Sequence, residues 1–483
     1  MIATAVNPYL KDNFAPIQTE TTVNNLPVIG ELPSDLCGTF IRNGPNPKFS
    51  PLGRHSWFDG DGMLHGIHMS NGKALYRNRY VHTRGFEIEQ AANRALWAGL
   101  LEPPQLANPA NNLFGPFKNT ANTALVWHAD RLLALWEGGE PYEIDRSQLT
   151  TAGPFTYGGQ LASPFTAHPK VDAKTGEMMF FGYSLLQPPY LKYSVVSPQG
   201  KIVSTVPIHL PAAVMMHDFA ITENYTIFMD LPLTFKLERL RRREPAYLFE
   251  PEAPARFGIL PRHGDGSRIQ WFEVPSCYVV HTLNAYEDDD DVVLIACRNS
   301  DARALDVQTK GGMRSRQHDK PVLYRWRFNL YTGTVQAEIL DDVASEFPSL
   351  NPQVLGSQNR YGYTAKIASG QVPLMTFDGL LKYDFFTGSR QLHPFRAGCY
   401  GGEAVFVPRT GGRQEDDGWL LTFVYDATQD SSELIVIDAK NFTDEPVARI
   451  LLPQRVPYGF HGIWISEADL ATTLKGSGKH YGE

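Results

Sequence analysis

Residues 171–180 read VDAKTGEMMF, and the same turn signature returns in FNLYTGTVQ (328–336) and YDFFTGSRQL (383–392). Each copy places an Asp or Asn, two further residues and then Thr-Gly between two strand-like runs. The Asp or Asn side chain caps a turn and the glycine supplies a positive φ, so each copy predicts a β-hairpin. Three copies indicate a repeated antiparallel unit. Their irregular spacing argues against the constant period of WD40 or kelch arrays.

The composition is that of a large, turn-rich β protein. The chain has 483 residues, and its 41 glycines and 35 prolines are spread along the whole length. Aromatic residues make up 12% of the chain, and aromatic and β-branched residues favour strands. A chain of this length exceeds the usual size of one hydrophobic core. We therefore expect a single domain over residues 1–483 that grows by repetition, with an extended N-terminal arm of about 25 residues.

Charge, cysteine usage and hydropathy limit the classes of partner. The net charge is −8, and no extended basic stripe is present, so we expect no nucleic-acid partner. The four cysteines are dispersed and form no CxxC pair, which fits a reducing compartment. The N-terminal residues lack the basic start and apolar run of a secretory signal, and no long apolar run occurs elsewhere. A cytoplasmic location is expected.

Two segments, 86–118 and 225–245, look inserted into the β pattern. In the first, FEIEQAANRALWAGLLE (86–102) predicts a helix with its apolar residues near one face. In the second, IFMDLPLTFKLERLRRR (227–243) joins an apolar stretch to a basic one. Such a segment either caps the fold or docks on a membrane surface.

Four histidines lie in strand-like segments far apart in the sequence: His168 in PFTAHPK, His217 in VMMHDFAIT, His281 in CYVVHTLNAYE and His461 in YGFHGIW. A lone histidine in a strand is more often a hydrogen-bonded structural group than a metal ligand. A metal held only by neutral imidazoles, however, keeps its full charge, which suits the binding of dioxygen. Only a closed, radially repeating fold would bring such distant ligands to one point.

Three glutamates stand in equally apolar segments: Glu137 in LLALWEGGEPY, Glu346 in SEFPSLNP and Glu403 in YGGEAVFVP. Together with the four histidines they follow one another at gaps of 31 to 65 residues. This spacing is compatible with one inward-pointing polar residue in each blade of a seven-bladed propeller. Because a ligating imidazole usually donates its other N–H to a carboxylate or carbonyl, the glutamates are candidate partners of the histidines.

Taken together, these segments resemble the carotenoid cleavage oxygenase family. The similarity extends over nearly the whole chain and also includes GTFIRNGPNP (38–47), WFDGDGMLHG (57–66) and EDDGWLLTFVYD (415–426). It implies an all-β fold, a seven-bladed β-propeller with helical insertions that form a roof over its top face. The resemblance assigns four histidines as Fe(II) ligands: His168, His217, His281 and His461. It assigns three glutamates as carboxylates that bond a ligand, Glu137, Glu346 and Glu403, and implies that His168 has no such partner. It also assigns Thr123 as the residue that crowds one open coordination position.

The resemblance implies a non-haem iron dioxygenase that uses O2 to cleave one conjugated C=C bond of a carotenoid or apocarotenoid into aldehydes or ketones. Selection among similar double bonds then depends on how far the polyene enters an apolar tunnel. A lipophilic polyene substrate resides in membranes, so we expect a peripheral membrane enzyme. Residues 227–235 and 96–117 are the candidate docking patch. The oligomeric state stays open.

The residues leave the branch of the family open. NPKFSPLGRHSWFDGDGM (46–63) resembles relatives that cut full-length carotenoids at C9–C10 and C9′–C10′, whereas LLALWEGG (132–139) is shared with those that cut apocarotenals centrally at C15–C15′. We favour the former. Stilbene-cleaving relatives typically carry a Lys directly before the first glutamate and a Tyr nearby; here Trp136 stands before Glu137, and no tyrosine occurs between residues 80 and 142.

Three readings of other kinds are also open. Retinoid isomerohydrolases use the same iron site, so ligand identity alone does not exclude isomerisation. A propeller can also be a non-enzymatic interaction scaffold, in which the histidines would be replaceable and no stoichiometric iron would be bound. A calcium-dependent propeller lactonase would instead place oxygen ligands at the axis, and four histidines speak against it.

Overall fold

The computed structural model describes residues 7–472 except 101, 103, 106, 243–246, 302–319 and 370–374. Within these residues seven antiparallel sheets form the blades of a β-propeller, which we number 1 to 7 in chain order. The predicted all-β, seven-bladed fold is therefore confirmed.

Blade 1 combines strands from both ends of the chain, whereas blades 2 and 3 each use four consecutive strands. Blade 1 contains β1 (Thr22–Val23), β3 (Gly38–Pro45), β4 (Gly62–Ser70), β5 (Lys73–Tyr80) and β33 (Gly462–Ser466). Blade 2 contains β6 (Ala124–His128), β7 (Arg131–Leu135), β8 (Tyr142–Ile144) and β9 (Thr151–Pro154). Blade 3 contains β10 (Lys170–Val171), β11 (Met178–Tyr183), β12 (Leu191–Val196) and β13 (Ile202–Ile208).

Blades 5 and 6 also use four consecutive strands, blade 4 has a hairpin inserted between its strands, and blade 7 has six strands, one of them from the N-terminal part of the chain. Blade 4 contains β14 (Ala220–Ile221), β15 (Tyr225–Asp230), β18 (Ala255–Pro261) and β19 (Gln270–Val274), and the inserted hairpin is β16 (Leu233–Phe235) with β17 (Tyr247–Phe249). Blade 5 contains β20 (Tyr278–Asp288), β21 (Asp291–Asn299), β22 (Val322–Asn329) and β23 (Val335–Ile339). Blade 6 contains β24 (Ser345–Ser349), β25 (Tyr361–Ile367), β26 (Phe377–Asp384) and β27 (Ser389–Pro394). Blade 7 contains β2 (Val28–Gly30), β28 (Cys399–Tyr400), β29 (Val405–Pro408), β30 (Gly418–Asp426), β31 (Ser431–Asp438) and β32 (Ala448–Leu451).

Helices are few in the part of the chain that the structure describes. The α-helices are α1 (Arg84–Ala92), α2 (Leu237–Arg241) and α3 (Glu467–Thr472), and short 3-10 turns lie at Pro8–Leu10, Asp12–Phe14 and Pro352–Val354. Among these residues no helix has the length and apolar character needed to cross a bilayer.

The ring of blades is closed by pairing between the two ends of the chain. In blade 1 the N-terminal β3 pairs with the C-terminal β33, with Arg42 opposite Gly462. In blade 7 the N-terminal β2 pairs with β32, with Val28 opposite Ile450. Strand β33 also contacts β6 of blade 2 and β29 of blade 7. The strands that face the centre of the ring therefore form a continuous inner wall.

The hydrophobic core is divided among the seven gaps between neighbouring blades. Each gap is filled by its own cluster of buried side chains from the two facing sheets. Burying such a side chain contributes about 1.5–3 kcal/mol, so each blade is held mainly by its neighbours. Representatives of the clusters, from the gap between blades 1 and 2 onward, are Ile144, Phe180, Phe228, Leu294, Leu323, Phe406 and Leu434.

The three Thr-Gly turns are hairpins, as predicted. They join β10 to β11, β22 to β23 and β26 to β27. Gly176, Gly333 and Gly388 have φ values of 71°, 74° and 69°, in the left-handed region. The carboxylate of Asp172 accepts a hydrogen bond from the Lys174 backbone N–H at 2.8 Å, which caps the first of these turns.

The helix predicted over residues 86–102 is much shorter, because α1 ends at Ala92. Asn93 takes a left-handed conformation with φ 51° and caps the helix. Beyond it, the Glu89 carboxylate accepts hydrogen bonds from the backbone N–H groups of Leu96 and Trp97. A carboxylate that bonds these donors holds the chain folded back on the helix and prevents its continuation.

The prediction that 227–235 forms part of a docking patch is wrong. Residues 225–230 are strand β15 of blade 4, and Ile227, Phe228 and Met229 are at most 1% exposed. Their side chains fill the gaps toward blades 3 and 5 and are unavailable to a membrane. The insertion itself begins only after β15 and comprises the hairpin β16–β17 with α2; residues 243–245 of the predicted segment lie outside the described residues.

Residues 7–14 of the N-terminal segment pack against the propeller, and the extended arm stays a prediction for the residues up to about 25. Tyr9 and Phe14 are buried. The Phe14 ring meets Trp57 edge-on at 5.5 Å and Tyr458 at 4.9 Å between ring centroids. Aromatic contacts of this kind hold the segment against blades 1 and 7. Residues 1–6 lie outside the described residues.

Candidate metal centre

The four predicted histidines converge on one point although they come from four blades. His168 and His217 lie just before the inner strands of blades 3 and 4, His281 lies in β20 of blade 5, and His461 directly precedes β33 of blade 1. One ring nitrogen from each lies within 4.8 Å of the others. The Nε2 atoms of His168 and His217 are 2.9 Å apart. The structure thus brings the four imidazoles together in one cluster.

A local irregularity in β20 presents His281 to this point. The pairing of β20 with β21 shifts register between Val279 and Thr282 and again between Thr282 and Asn284. Extra residues of this kind bend a strand and redirect its side chains, and they occur often beside functional sites. His281 lies inside the irregular stretch, so its imidazole leaves the regular alternation of the strand.

Each of the three predicted glutamates bonds one histidine. Glu137 accepts from His217 Nδ1 at 2.5 Å, Glu346 from His281 Nδ1 at 2.6 Å, and Glu403 from His461 Nδ1 at 2.8 Å. The proton on each of these rings is therefore held at Nδ1, and the Nε2 lone pair is directed away from the carboxylate.

His168 differs from the other three histidines. Among the described residues no carboxylate bonds its ring; its backbone N–H donates to Thr166 Oγ1 at 3.0 Å. Burial, followed by the electrostatic effect of His461 and His217, lowers the pKa of His168 well below its usual value. Its ring is therefore neutral at physiological pH and keeps one nitrogen lone pair for a metal ion.

The seven predicted polar residues come from seven different blades. Six of them lie in or directly before an inner strand: His168, His217, His281, Glu346, Glu403 and His461. Glu137 is the exception, because it follows the second strand of blade 2, β7. The residue before the inner strand of that blade is Thr123, so blade 2 contributes two of the predicted site residues.

Thr123 lies beside His461. Its backbone carbonyl accepts from the His461 N–H at 3.3 Å, and its hydroxyl donates to Asn122 Oδ1 at 2.9 Å. Asn122 in turn donates to the backbone carbonyls of Phe58 and Gly60. The threonine is thus held in place beside His461, and its role in crowding an open coordination position stays a prediction.

The donor set fits a transition-metal ion. His281 Nε2 is buried and has no hydrogen-bond partner among the described residues. Because Glu137 holds the His217 proton at Nδ1, the His217 Nε2 lone pair faces His168 Nε2 at 2.9 Å, where a shared cation or the His168 ring N–H can satisfy it. Imidazole ligands suit Fe, Cu, Zn and Ni and disfavour the hard ions Ca²⁺ and Mg²⁺. The cluster therefore has the chemistry of a four-histidine metal site.

The structure shows one tyrosine near the site that the sequence analysis did not identify. Tyr183, at the end of β11 in blade 3, donates its hydroxyl to Glu137 Oε1 at 2.6 Å. Glu137 thereby holds both His217 and a phenol, whereas Glu403 uses its second oxygen for the Gly462 N–H at 2.7 Å. No local motif links Tyr183 with Glu137, since they are 46 residues apart and meet only across blades.

A small cavity of about 60 Å³, lined by both aromatic and charged residues, lies between the β3–β4 loop and the segment that follows α1. Its wall includes Trp136, the neighbour of Glu137, and its outer part includes Leu52 and Leu100, which are 41% and 45% exposed. Other aromatic residues that line it are Phe49, Phe58, Trp97 and Phe117. The wall of this cavity thus includes both exposed leucines and Trp136.

The chain is similar in sequence to known proteins over most of its length. The sequence model of the family described as retinal pigment epithelial membrane protein matches residues 14–466. The carotenoid 9,10(9′,10′)-cleavage dioxygenase 1 of Arabidopsis thaliana is 42% identical over 495 residues, which cover 96% of this chain and 90% of that protein. The chain belongs to the carotenoid cleavage oxygenase family.

Two solved structures of this carotenoid cleavage oxygenase family share the fold closely. The lignostilbene dioxygenase of Pseudomonas brassicacearum superposes with a TM-score of 0.88 at 30% identity and covers 95% of this chain and 99% of its own. An apocarotenoid oxygenase of Synechocystis superposes with a TM-score of 0.82 at 31% identity and covers 93% of this chain and 97% of its own. The fold is thus shared by family members named for carotenoid-derived and for stilbene substrates.

Proposed function

We propose that this protein is a non-haem Fe(II) dioxygenase that cleaves carotenoids or apocarotenoids at C9–C10 and C9′–C10′. The observation that carries the proposal is the convergence of four imidazoles whose protons are held outward by carboxylates on three of them. Relatives at 41–42% identity are named carotenoid 9,10(9′,10′)-cleavage dioxygenases, which supports the choice of bond.

In this proposal His168, His217, His281 and His461 hold the ferrous ion. When bound, the ion supplies the site for binding and activating O2. Glu137, Glu346 and Glu403 keep the Nδ1 protons in place and so keep the Nε2 lone pairs available to the metal. Thr123, held by Asn122, limits the space beside the cluster.

The overall reaction needs no nucleophile or general base from the protein. One C=C bond is broken, and each of its carbons takes one oxygen atom of O2 to become a carbonyl carbon, so atoms balance without a proton donor. The protein instead binds the polyene at a fixed depth, which decides the bond that reacts. The aromatic side chains beside Trp136 are the candidate contacts for an apolar substrate arm.

Cleavage of stilbenes is the second candidate, because a lignostilbene dioxygenase superposes with a TM-score of 0.88. Two residues count against it. Trp136 offers an indole where the stilbene-cleaving relatives carry a lysine, and the hydroxyl of Tyr183 is already bonded to Glu137. An uncharged wall at this position suits a hydrocarbon better than a phenol.

The first test is identification of products from the iron-loaded protein. We expect β-carotene to give fragments with the masses of cleavage at C9–C10 and C9′–C10′ by liquid chromatography and mass spectrometry. A long apocarotenal and a hydroxystilbene serve as competing substrates in parallel reactions. A retinal-sized product from the apocarotenal would indicate central cleavage, products from the stilbene alone would select the second candidate, and a geometric isomer without fragments would indicate isomerisation.

We further propose that the exposed apolar residues at the outer end of the cavity dock on a membrane. Leu113 is 63% exposed and belongs to the same post-α1 segment as Leu100. This leaves 96–117, without residues 101, 103 and 106, as the docking segment of the described structure. A polyene could then pass from the bilayer to the cavity without crossing water.

Leu113→Asp is expected to weaken binding to phosphatidylcholine vesicles by about tenfold, because one exposed leucine contributes about 1.5–3 kcal/mol when buried. Co-sedimentation with the vesicles measures the change. The matched control is Phe386→Asp, since Phe386 is 64% exposed but lies at the tip of the β26–β27 hairpin. Equal losses for the two variants would contradict docking through the 96–117 segment.

A further inference from the structure

A buried cluster of three polar residues lies directly behind three of the histidines. Lys170 follows His168 by two residues, Asp218 follows His217 and Thr282 follows His281. The cluster thus joins blades 3, 4 and 5 at the places where each presents an imidazole. Among the described residues, no member of the cluster has a recorded hydrogen bond to a histidine ring. Any effect of the cluster on the rings therefore passes through the backbone that carries the histidines.

Asp218 is the centre of this cluster. Its Oδ1 lies 2.7 Å from Lys170 Nζ and accepts a hydrogen bond from the Phe219 backbone N–H at 2.8 Å. Its Oδ2 accepts from both the backbone N–H and the hydroxyl of Thr282, each at 2.8 Å. The carboxylate side chain is 2% exposed. Four donors use the ordinary acceptor capacity of one carboxylate, so water has no place left on it.

The bond from Thr282 is tied to the irregular stretch of β20. The pairing with β21 shifts register on both sides of Thr282. A backbone N–H displaced from the regular ladder needs another acceptor when it is buried. Asp218 provides that acceptor from the next blade, and it thereby stabilises the bend that directs His281 toward the cluster.

We infer that Asp218 is a positioning residue that sets the mutual placement of His168, His217 and His281, and this inference rests on the proposed metal-binding function. Lys170, Asp218 and Thr282 each lie within two residues of a histidine. A shift of blade 3, 4 or 5 relative to its neighbour would therefore break a contact of the Asp218 carboxylate. Replacing the carboxylate would leave Lys170 as a buried, unpaired cation beside the site, which strongly favours local rearrangement.

The chain offers a matched control in a second buried ion pair between the same two blades. Asp172 of blade 3 bonds the guanidinium of Arg262, which also donates to the Thr222 carbonyl of blade 4. The side chains of this pair are 7% and 4% exposed. Asp172 lies after β10 whereas His168 lies before it. The control pair therefore matches Asp218 and Lys170 in chemistry and burial but belongs to the hairpin end of the strand.

The test compares Asp218→Asn with Asp172→Asn in the metal-free full-length protein. Both variants are expected to unfold at lower temperature than the parent. Only Asp218→Asn is expected to raise the dissociation constant for Fe(II), by at least about tenfold, in anaerobic competition with a chelator. It should also shift the visible absorption of bound Co(II), which reports ligand geometry and is insensitive to global stability.

The outcomes separate this inference from the proposed function. If the parent binds no stoichiometric Fe(II), the proposed function fails. If the parent binds iron and Asp218→Asn shows parental affinity and an unchanged Co(II) spectrum, or if Asp172→Asn changes both equally, Asp218 is not a positioning residue. Should Asp218→Asn not fold, Thr282→Val removes one hydroxyl at nearly constant volume and should raise the dissociation constant by about threefold; unchanged affinity and spectrum would then overturn the inference.

Discussion

Replacing His281 with alanine is expected to abolish stoichiometric iron binding and to lower carotenoid cleavage by more than about a hundredfold. Loss of a ligand should cost more than loss of a hydrogen-bonded partner of a ligand, which commonly costs about ten- to a hundredfold. The change removes a buried Nε2 that has no other partner among the described residues, and it leaves the Glu346 carboxylate without its imidazole. Metal analysis and the rate of product formation measure the two effects.

His393→Ala is the matched control for this prediction. His393 is also a buried histidine, 5% exposed, and its Nδ1 bonds the backbone carbonyl of Phe442 in the neighbouring blade. Its loss should lower stability but leave the iron content unchanged. Full iron content and parental turnover in His281→Ala would show that the four-histidine assignment is wrong.

Glu403→Gln is expected to lower turnover by about ten- to a hundredfold with the fold intact. Glu403 accepts from His461 Nδ1 with one oxygen and from the Gly462 N–H with the other. A glutamine has only one acceptor oxygen, so its amide N–H₂ must face one of these two donors. The His461 ring then loses either its orientation or the electron-donating effect of the carboxylate. Steady-state rates at saturating iron measure the change.

Glu433→Gln provides the comparison for a glutamate of similar burial. Its side chain is 8% exposed and pairs with Arg449 in the outer part of blade 7. It should lose stability and retain parental turnover per bound iron. Activity of Glu403→Gln within about twofold of the parent would mean that the carboxylate contributes little to the site.

The site could be predicted from the sequence because its residues stand in distinctive segments. The four histidines and three glutamates each lie in a strand-like context, and the resemblance to the family assigns them together. Tyr183 and Asp218 could not be found in the same way, because their roles depend on contacts with Glu137 and Thr282 in other blades. Sequence distance carries no information on which residues a closed ring brings together.

The wrong predictions have two identifiable physical causes. An apolar run such as 227–233 fits a buried strand as well as an exposed docking surface, and only the packing of blade 4 between its neighbours decides between them. The helix from residue 86 had apolar residues at helical spacing up to 102, but the Glu89 carboxylate competes for the backbone donors after Ala92. Packing between blades decided the first case, and hydrogen bonds within the segment after α1 decided the second.

Closure of blade 1 by strands from both ends of the chain has a consequence for biosynthesis. Domains are made from the N-terminus onward, and His461 emerges with β33, the last strand of the described ring. A chain translated only as far as β32 therefore has three of the four imidazoles, and its strand β3 lacks the pairing with β33. Because metal binding and folding reinforce each other, the proposed four-histidine metal site can be completed only after β33 has been synthesised.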